Sequence, residues 1–215
     1  MNYLIPGMGA DSKMYAGPWR HLKKCCFVDW PPWDGERTIA DVAGTMVRRY
    51  RINEGDTVIG TSLGGMVCLE IATIVKVRKI ILISSAFNAG ELSRFAKLLM
   101  PLAFRSVVEI SQFLASFFGN YLFQMYSRSE PEFVVAMSKA ILHWRGFHGD
   151  VTKVARIHGR RDILISCPEN SEIIEDGGHL IVGTHAQECV DFVVKNVGEE
   201  GRRDLLLGGA DSSVN

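Results

Sequence analysis

Short apolar runs alternate with longer amphipathic stretches at both ends of the chain. Several of the runs are rich in β-branched residues and end at glycine, proline or polar positions, a pattern that is typical of strands. The longer stretches repeat apolar residues every three or four positions, so that Ile39, Val42 and Met46 share one helix face. The predicted strands are residues 3–6, 25–30, 56–60, 79–84, 151–158 and 172–174. The predicted helices are residues 12–22, 63–75 and 186–197, together with one that opens at Thr38.

The alternation of strands with helices predicts an α/β fold whose sheet is mostly parallel. Residues 79–84 read KIILIS, and a continuous apolar run of this kind suits a central strand that is covered by helices on both faces. A chain of 215 residues is long enough for one domain with a substantial core. We therefore expect a mostly parallel sheet of about six strands flanked by helices.

The pattern changes between residues 87 and 148, which show helical periodicity only and contain nine of the eleven phenylalanines. Pro101 and Gly119-Asn120 divide this segment into three or four helices. Strands and helices alternate again after it, so we predict a helical cap that is inserted into one domain. The predicted core is residues 1–86 and 149–197, and the predicted cap is residues 87–148. Residues 198–215 are rich in glycine, serine and charge, and we expect them to form a flexible tail.

The charges of the chain balance, with 24 lysines and arginines against 24 aspartates and glutamates. Zero net charge argues against a protein that binds nucleic acid by neutralising phosphates, because that requires a basic excess. The five cysteines are irregularly spaced, which argues against a disulfide framework or a zinc site, and we expect no metal or organic cofactor. The N-terminus lacks the pattern of a secretory leader, and the uncharged stretch 110–127 contains Gln112 and Gln124. We therefore expect no membrane span and a cytoplasmic location.

Residues 60–65 read GTSLGG and match the pattern G-x-S-x-G around Ser62. The motif lies between a predicted strand and a predicted helix, as a nucleophile elbow requires. A sharp turn at this place exposes the serine hydroxyl, while Gly60 and Gly64 avoid clashes with the neighbouring backbone. The start of the helix also offers N–H groups to a developing oxyanion. Ser62 is therefore the predicted nucleophile.

A serine hydroxyl is a weak nucleophile without a base, which directs attention to the histidines. His179 follows Gly177-Gly178 in a loop between the last predicted strand and the last predicted helix. A histidine at that position can reach over the carboxyl edge of the sheet towards Ser62. His185 stands near the start of the last helix and is the weaker candidate, so His179 is the predicted base.

An acid must hold the base in the correct tautomer and stabilise its protonated form. Asp162 directly follows the strand 151–158 in the sequence HGRRD, which brings it to the same sheet edge as Ser62. Asp150 precedes that strand and is expected at the opposite edge. His158, in the same motif, is expected to support the Asp162 loop, and Asp162 is the predicted acid.

Four motifs occur in order along residues 2–197, and they read PGMG, GTSLGG, HGRRD and GGH. With these motifs the chain resembles the α/β-hydrolase superfamily of the Ser-His-Asp type, in particular its small carboxylesterase-like members with a helical cap. The resemblance implies that Ser62, Asp162 and His179 form a catalytic triad, since they follow the chain order of the family. It also implies cleavage of a small-molecule ester or thioester through an acyl-enzyme.

The resemblance further implies an oxyanion hole formed by the backbone N–H groups of Met8 and Leu63. Two features depart from the pattern of the superfamily. Pro6 stands where the first loop of the family often has a histidine, which removes a supporting side chain but not the backbone donor. The chain also starts at what would be the third strand, so we expect the first two strands of the family fold to be lacking.

The predicted cap lies where members of the superfamily cover the active site, and its phenylalanines are consistent with an apolar roof. Phe113 and Phe117 from the cap, with Trp30 and Trp33 beside the double proline, are the candidates for substrate contact. Packing within the cap is the alternative role for the phenylalanines. Two other functions stay open on the same fold: a non-catalytic ligand-binding or interaction module, and a non-hydrolytic acyltransferase or haloperoxidase-like enzyme.

Overall fold

The computed structural model describes residues 1–118 and 121–207. Its centre is a six-stranded sheet. The strands are β1 (Asn2–Ile5), β2 (Cys25–Phe27), β3 (Thr57–Thr61), β4 (Lys79–Ile83), β5 (Val154–Gly159) and β6 (Glu172–Ile174). Their order across the sheet is β2-β1-β3-β4-β5-β6, and each neighbouring pair is parallel.

Helices cover both faces of the sheet. The α-helices of the described residues are α1 (Ile39–Tyr50), α2 (Leu63–Ile74), α3 (Arg94–Leu99), α4 (Arg105–Ser116), α5 (Tyr121–Ser127), α6 (Pro131–His143), α7 (Ile181–Thr184), α8 (Ala186–Asn196) and α9 (Gly198–Leu207). One apolar core contains Val42 of α1 and Val67 of α2, and the other contains Trp19 and Val190 of α8. The prediction of a mostly parallel sheet of six strands flanked by helices is confirmed.

The register of the strands brings their carboxyl ends to one edge of the sheet. Ile5 of β1 pairs with Gly60 of β3, and Ile83 of β4 pairs with Ile157 of β5. Gly159, the last residue of β5, pairs with the end of β6. The loops that leave these strands therefore meet, as expected for the carboxyl edge of a parallel α/β sheet.

Several predicted elements differ in detail from the structure. The strand predicted over residues 25–30 ends at Phe27. Residues 12–22 form two short 3₁₀ turns instead of one helix, because the Asp11 side chain caps the first turn and Pro18, which has no N–H, lies in the first positions of the second turn, Gly17–His21. The strand predicted from residue 151 starts at Val154. The Asp150 side chain accepts a hydrogen bond from the Thr152 N–H and stabilises a 3₁₀ turn in the preceding residues.

The start of the predicted flexible tail is a docked helix in the structure. Residues 198–207 form α9, in which Leu205 is fully buried beside the core that contains Trp19. The Lys23 N–H donates to the Leu205 carbonyl at 2.8 Å. This corrects the expectation for these ten residues, because a single buried leucine anchors a segment whose composition is otherwise polar. Residues 208–215 lie outside the described residues.

The helices α3 to α6, called the helical block below, leave the sheet after β4 and return before β5. The two ends of the block meet, because the Phe147 N–H donates to the Phe87 carbonyl at 2.8 Å and their rings stack with centroids 6.3 Å apart. Leu92 also forms an antiparallel bridge with Ile165. Pro101 lies in the turn between α3 and α4, while the predicted break at Gly119-Asn120 lies outside the described residues.

None of the described helices is by itself long and apolar enough to cross a membrane. Residues Arg94–Leu102 and Arg105–Ser116 pass such a test only as a pair, by length and composition, and they are bent by 108° relative to each other.

The docking of α9 can be tested with neighbouring leucines. We expect Leu205→Ala to lower the free energy of unfolding by about 2–4 kcal/mol, because it removes fully buried methyl groups. Leu206→Ala makes the same chemical change on a side chain that is 55% exposed, and we expect less than about 0.5 kcal/mol from it. Urea unfolding followed by circular dichroism measures both, and equal effects would contradict the docked helix.

Candidate active site

Ser62 occupies the turn between β3 and α2 with φ 54° and ψ −120°. This positive φ strains a residue that has a Cβ atom, at a cost of about 1–3 kcal/mol, so the surroundings must hold it in place. A Cβ atom on Gly60 would lie 2.3 Å from the Gly64 carbonyl carbon. A Cβ atom on Gly64 would lie 2.4 Å from the Ile5 carbonyl oxygen. The turn therefore packs so closely that only glycine fits at these two positions.

His179 lies in the loop between β6 and α7 and reaches over the edge of the sheet. Its Nε2 lies 3.0 Å from Ser62 Oγ, and its Nδ1 lies 2.7 Å from Asp162 Oδ2. A carboxylate only accepts hydrogen bonds, so Nδ1 carries the proton and Nε2 is left to accept the serine proton. The structure thus brings together the three side chains that were predicted as nucleophile, base and acid.

The Asp162 carboxylate is fully buried, and each of its oxygens is hydrogen-bonded. Oδ1 accepts from the backbone N–H groups of Leu164 at 2.8 Å and Ile165 at 3.1 Å. Burial alone would raise the pKa of this carboxyl, but the hydrogen bonds from His158 and His179 outweigh it and hold the pKa well below the usual range. The carboxylate therefore stays charged at neutral pH. The stability that it contributes is present above about pH 4 and is lost as the pH falls further.

A second histidine contacts the same carboxylate oxygen as His179. His158 Nε2 lies 3.0 Å from Asp162 Oδ2 and 3.2 Å from the Ile165 carbonyl oxygen. Both of these oxygens are acceptors, so Nε2 carries the proton. The buried Nδ1 of His158 has no hydrogen-bond partner among the described residues. His158 was predicted to support the Asp162 loop, and in the structure it contacts the Asp162 carboxylate itself.

A close contact between two backbone segments sets the separation of Asp162 and His179. A Cβ atom on Gly159, at the end of β5, would lie 2.4 Å from the carbonyl oxygens of both Gly177 and Gly178. A side chain at position 159 would push apart the loops that carry the acid and the base. The glycine of the HGRRD motif is therefore required by this approach.

A cavity of about 320 Å³ opens above Ser62 and His179. Among the described residues that line it there is no aspartate, glutamate, lysine or arginine. The apolar lining residues are Met8, Ala10, Met14, Leu63, Met66, Leu92, Met100, Phe123, Ile141, Leu164, Ile165 and Leu180. Such a site suits an uncharged, apolar ligand that is oriented by a few polar groups.

Four aromatic residues that were predicted to contact substrate do not line this cavity. Phe113 of α4 and Phe117, the residue after α4, are 64% and 71% exposed, and their rings pack edge to face. This corrects the expectation, because α4 carries apolar residues on two faces and these two lie on the outward one. Trp30 Nε1 donates to the Gly7 carbonyl at 3.0 Å, and Trp33 Nε1 donates to a neighbouring carbonyl. The tryptophans therefore hold loops in place.

Phe123 and Tyr126 of α5 line the cavity instead. The Tyr126 hydroxyl lies 2.7 Å from Ser111 Oγ, and its ring lies beside Gly9. Sequence reasoning counted Phe123 among the phenylalanines of the cap but missed Tyr126. The spacing of three residues between them puts both on one helix face, and this signal could have identified the pair.

The backbone N–H groups of Met8 and Leu63 lie in the segments that border Ser62, and both residues line the cavity. Neither N–H has a hydrogen-bond acceptor among residues 1–118 and 121–207. Leu63 is the first residue of α2, and the N–H groups of a first helical turn have no partner within the helix. Both groups are therefore available to a ligand atom beside Ser62.

The weaker sequence candidates lie elsewhere. His185 Nε2 lies 3.2 Å from the exposed Asp176 carboxylate, on the surface beside α8. Asp150 borders a larger cavity of about 630 Å³ at the opposite edge of the sheet. The described residues that line this larger cavity include charged side chains and the hydroxyl of Thr73, which donates to the Glu70 carbonyl at 2.7 Å.

Comparisons with known proteins agree with this architecture. A family profile described as "Alpha/beta hydrolase family" matches residues 3–192, while a search of curated proteins finds no match. A hydrolase from Oleispira antarctica is 16% identical, covers 91% of this chain and 90% of its own, and superposes with a TM-score of 0.66.

Two other solved structures are similar to the same extent. A thermophilic esterase from Thermogutta terrifontis is 17% identical over 91% of this chain and 89% of its own, with a TM-score of 0.61. The type II thioesterase BorB from the borrelidin biosynthetic cluster is 13% identical over 92% of both chains, with a TM-score of 0.67. At these identities the likeness shows the fold alone. The profile match spans most of the sequence, and the chain therefore belongs to the alpha/beta hydrolase family.

Proposed function

We propose that the protein is a serine hydrolase that cleaves an apolar carboxylic ester or thioester through an acyl-enzyme on Ser62. One observation carries the proposal: hydrogen bonds run from Ser62 through His179 to the buried Asp162, at the base of an apolar cavity. Membership of the alpha/beta hydrolase family supports it. The chemistry needs no group beyond these side chains and water.

In the first half of the reaction, Ser62 Oγ attacks the carbonyl carbon of the ester while His179 Nε2 accepts its proton. The tetrahedral intermediate collapses when the bond to the leaving group breaks. His179 then gives the proton to the departing alcohol or thiol. In the second half, water loses a proton to His179 and attacks the acyl carbon. The carboxylic acid is released, and Ser62 recovers its proton.

The remaining groups stabilise the charges that develop during these steps. The ionised Asp162 keeps the Nδ1 proton of His179 in place and stabilises the imidazolium. The backbone N–H groups of Met8 and Leu63 serve as donors to the oxyanion, where the loss of one donor typically costs about 10²–10³ in rate. His158 is a positioning residue, because it holds the Asp162 oxygen that faces His179.

The lining of the cavity supports an apolar acyl group as the part of the substrate that enters it. No Asp, Glu, Lys or Arg side chain of residues 1–118 and 121–207 lines the cavity, so a substrate with a charge near the carbonyl would lose its hydration without compensation from these residues. Met100 and Phe123 contribute to the wall opposite the sheet, so the helical block acts as the cap of the site. The named esterase and thioesterase activities of two structural neighbours are consistent with this substrate class.

Labelling with a fluorophosphonate tests the nucleophile and the base together. We expect a covalent adduct on Ser62, located by mass spectrometry, and a rate of labelling that falls by about 10²- to 10⁴-fold in His179→Ala. His185→Ala is the matched control and should label like the unmodified chain, since the His185 ring pairs with Asp176 and Thr184 at the surface. An adduct on another residue, or equal rates in both variants, would overturn the proposal.

The glycine of the HGRRD motif offers a test of the geometry. Gly159→Ala should lower kcat/KM for p-nitrophenyl butyrate by about 10- to 100-fold, because the new Cβ atom displaces the His179 loop from the Asp162 loop. Gly183→Ala is the control, since a Cβ atom there meets nothing within 4 Å. If both variants keep full activity and fold normally, the close approach does not matter for the reaction.

The wall of the cavity should determine which acyl chains are accepted. We expect Met100→Trp to reduce kcat/KM for p-nitrophenyl octanoate much more than for p-nitrophenyl acetate, because the indole fills space that the longer chain needs. Leu102→Trp adds the same ring two residues further on, outside the cavity lining, and should leave the ratio of the two esters unchanged. An unchanged ratio in Met100→Trp would place the acyl chain elsewhere.

A further inference from the structure

A large apolar surface faces solvent on the helical block. Six of its side chains define it here as the outer apolar face, and each is more than half exposed: Leu98, Leu102, Ile110, Phe113, Leu114 and Phe117. They come from α3, the turn that follows it, α4 and the residue after α4. Large apolar side chains that are exposed together on one segment of a protein mark a place where something binds.

The polarity of α4 is reversed relative to a helix that covers a core. Its inward residues are Val108, Gln112 and Ala115, all of them buried. The Gln112 side-chain amide donates to the carbonyls of Tyr126 at 3.1 Å and Ser129 at 2.9 Å. Small and polar residues thus face the protein, while the largest apolar residues face outwards. This distribution is expected for a helix whose outer side meets an apolar phase.

The shape of the segment favours a position on a lipid surface over a position across it. Arg94–Leu102 and Arg105–Ser116 together have the length and composition of a membrane segment, yet they are bent by 108°. The inward side of α4 packs against α5 and α6. The segment therefore keeps its contacts with the rest of the protein, and only its outer side is free to enter a lipid layer.

The charges around the outer apolar face are mostly basic. Residues 94–118 contain Arg94, Lys97 and Arg105 but only one acidic residue, Glu109, although the whole chain is neutral. Arg105 is paired with Glu109 and Glu132, whereas Arg94 and Lys97 are exposed beside the apolar residues. The Lys97 ammonium also donates to the Gly90 carbonyl at 2.9 Å and keeps its charge. Basic residues at the border of an apolar helix face complement the phosphates of anionic lipids. In a dimer built on this face, the second copy would instead add further positive charge.

The outer apolar face continues into the cavity above Ser62. Met100, between Leu98 and Leu102, lines the cavity, and so does the half-exposed Phe123 of α5. A second copy of the chain seated on this face would cover the segment that carries Met100. A lipid layer would instead place apolar molecules beside these lining residues.

We propose that the chain docks through its outer apolar face on an anionic lipid surface, and that its apolar ester reaches Ser62 from that surface. The docking stands on the exposed side chains and charges alone. The delivery of an ester rests on the proposed function as well.

Flotation with vesicles of phosphatidylcholine and phosphatidylglycerol tests the docking with the full chain. We expect the chain to float with the vesicles, and Phe113→Ser/Phe117→Ser to lower the partition coefficient at least roughly tenfold, because two anchoring rings are lost. Ile74→Ser/Val151→Ser is the matched control, since both residues are also more than half exposed but lie outside the face. The control should float like the unmodified chain.

Three results would overturn the docking: no flotation of the unmodified chain, equal losses in both double variants, or a dimer in sedimentation velocity that Phe113→Ser/Phe117→Ser dissociates. Hydrolysis of p-nitrophenyl butyrate without lipid should be the same in all three proteins, which excludes misfolding. A chain that floats but cleaves no ester would overturn the proposed function and leave the docking in place. If Phe113→Ser/Phe117→Ser no longer floats but still hydrolyses an ester embedded in the vesicles, the proposal that the ester reaches Ser62 from the lipid surface is wrong.

Discussion

The buried negative charge of Asp162 is the constraint on which the carboxyl edge of the sheet depends. A carboxylate in the interior is costly unless donors surround it, and here the donors come from separate parts of the chain. His158 belongs to β5, His179 to the loop before α7, and Ile165 to the segment after the aspartate. Ile165 also pairs with Leu92, just before the helical block, in an antiparallel β-bridge. One buried charge thus links β5, the His179 loop, the segment around Ile165 and, through Ile165, the start of the helical block. The same contacts leave His179 Nε2 directed at Ser62 Oγ.

The strain at Ser62 is sustained by the helix beneath it. Residues 63–69 of α2 are all buried, so this helix cannot shift outwards to relax the positive φ of Ser62 without opening the core. The free energy of packing α2 between the sheet and α1 therefore offsets the strain. The result is a hydroxyl that points into the cavity before any ligand arrives. The packing of the apolar interior thus preorganises the Ser62 hydroxyl at the carboxyl edge of the sheet.

Sequence reasoning was most successful where a local motif dictates the backbone. The elbow around Ser62 could be recognised because close packing restricts the residues on either side of it. The orientation of α4 could not be predicted in this way. The helix has apolar residues on two faces, and the spacing of Phe113 and Phe117 does not show which face turns inwards. Residues 12–22 and Leu205 were misjudged for a related reason: tertiary packing overrides a weak local pattern. The side chains that line the cavity depend on how helices cross, which no period reveals.

The hydrogen bond between Phe147 and Phe87 has a consequence for how the substrate range of such a protein can evolve. The helical block leaves and rejoins the sheet through two neighbouring residues, whatever its own length and sequence. The two ends of the block are therefore held close together whatever its length. A longer or shorter block changes the entropic cost of closing this connection only slightly. A block of different helices could be exchanged as a cassette between members of the family. Such an exchange would replace the roof of the cavity and the surface that the protein presents to its surroundings, while the serine, its histidine and the buried aspartate would stay where they are.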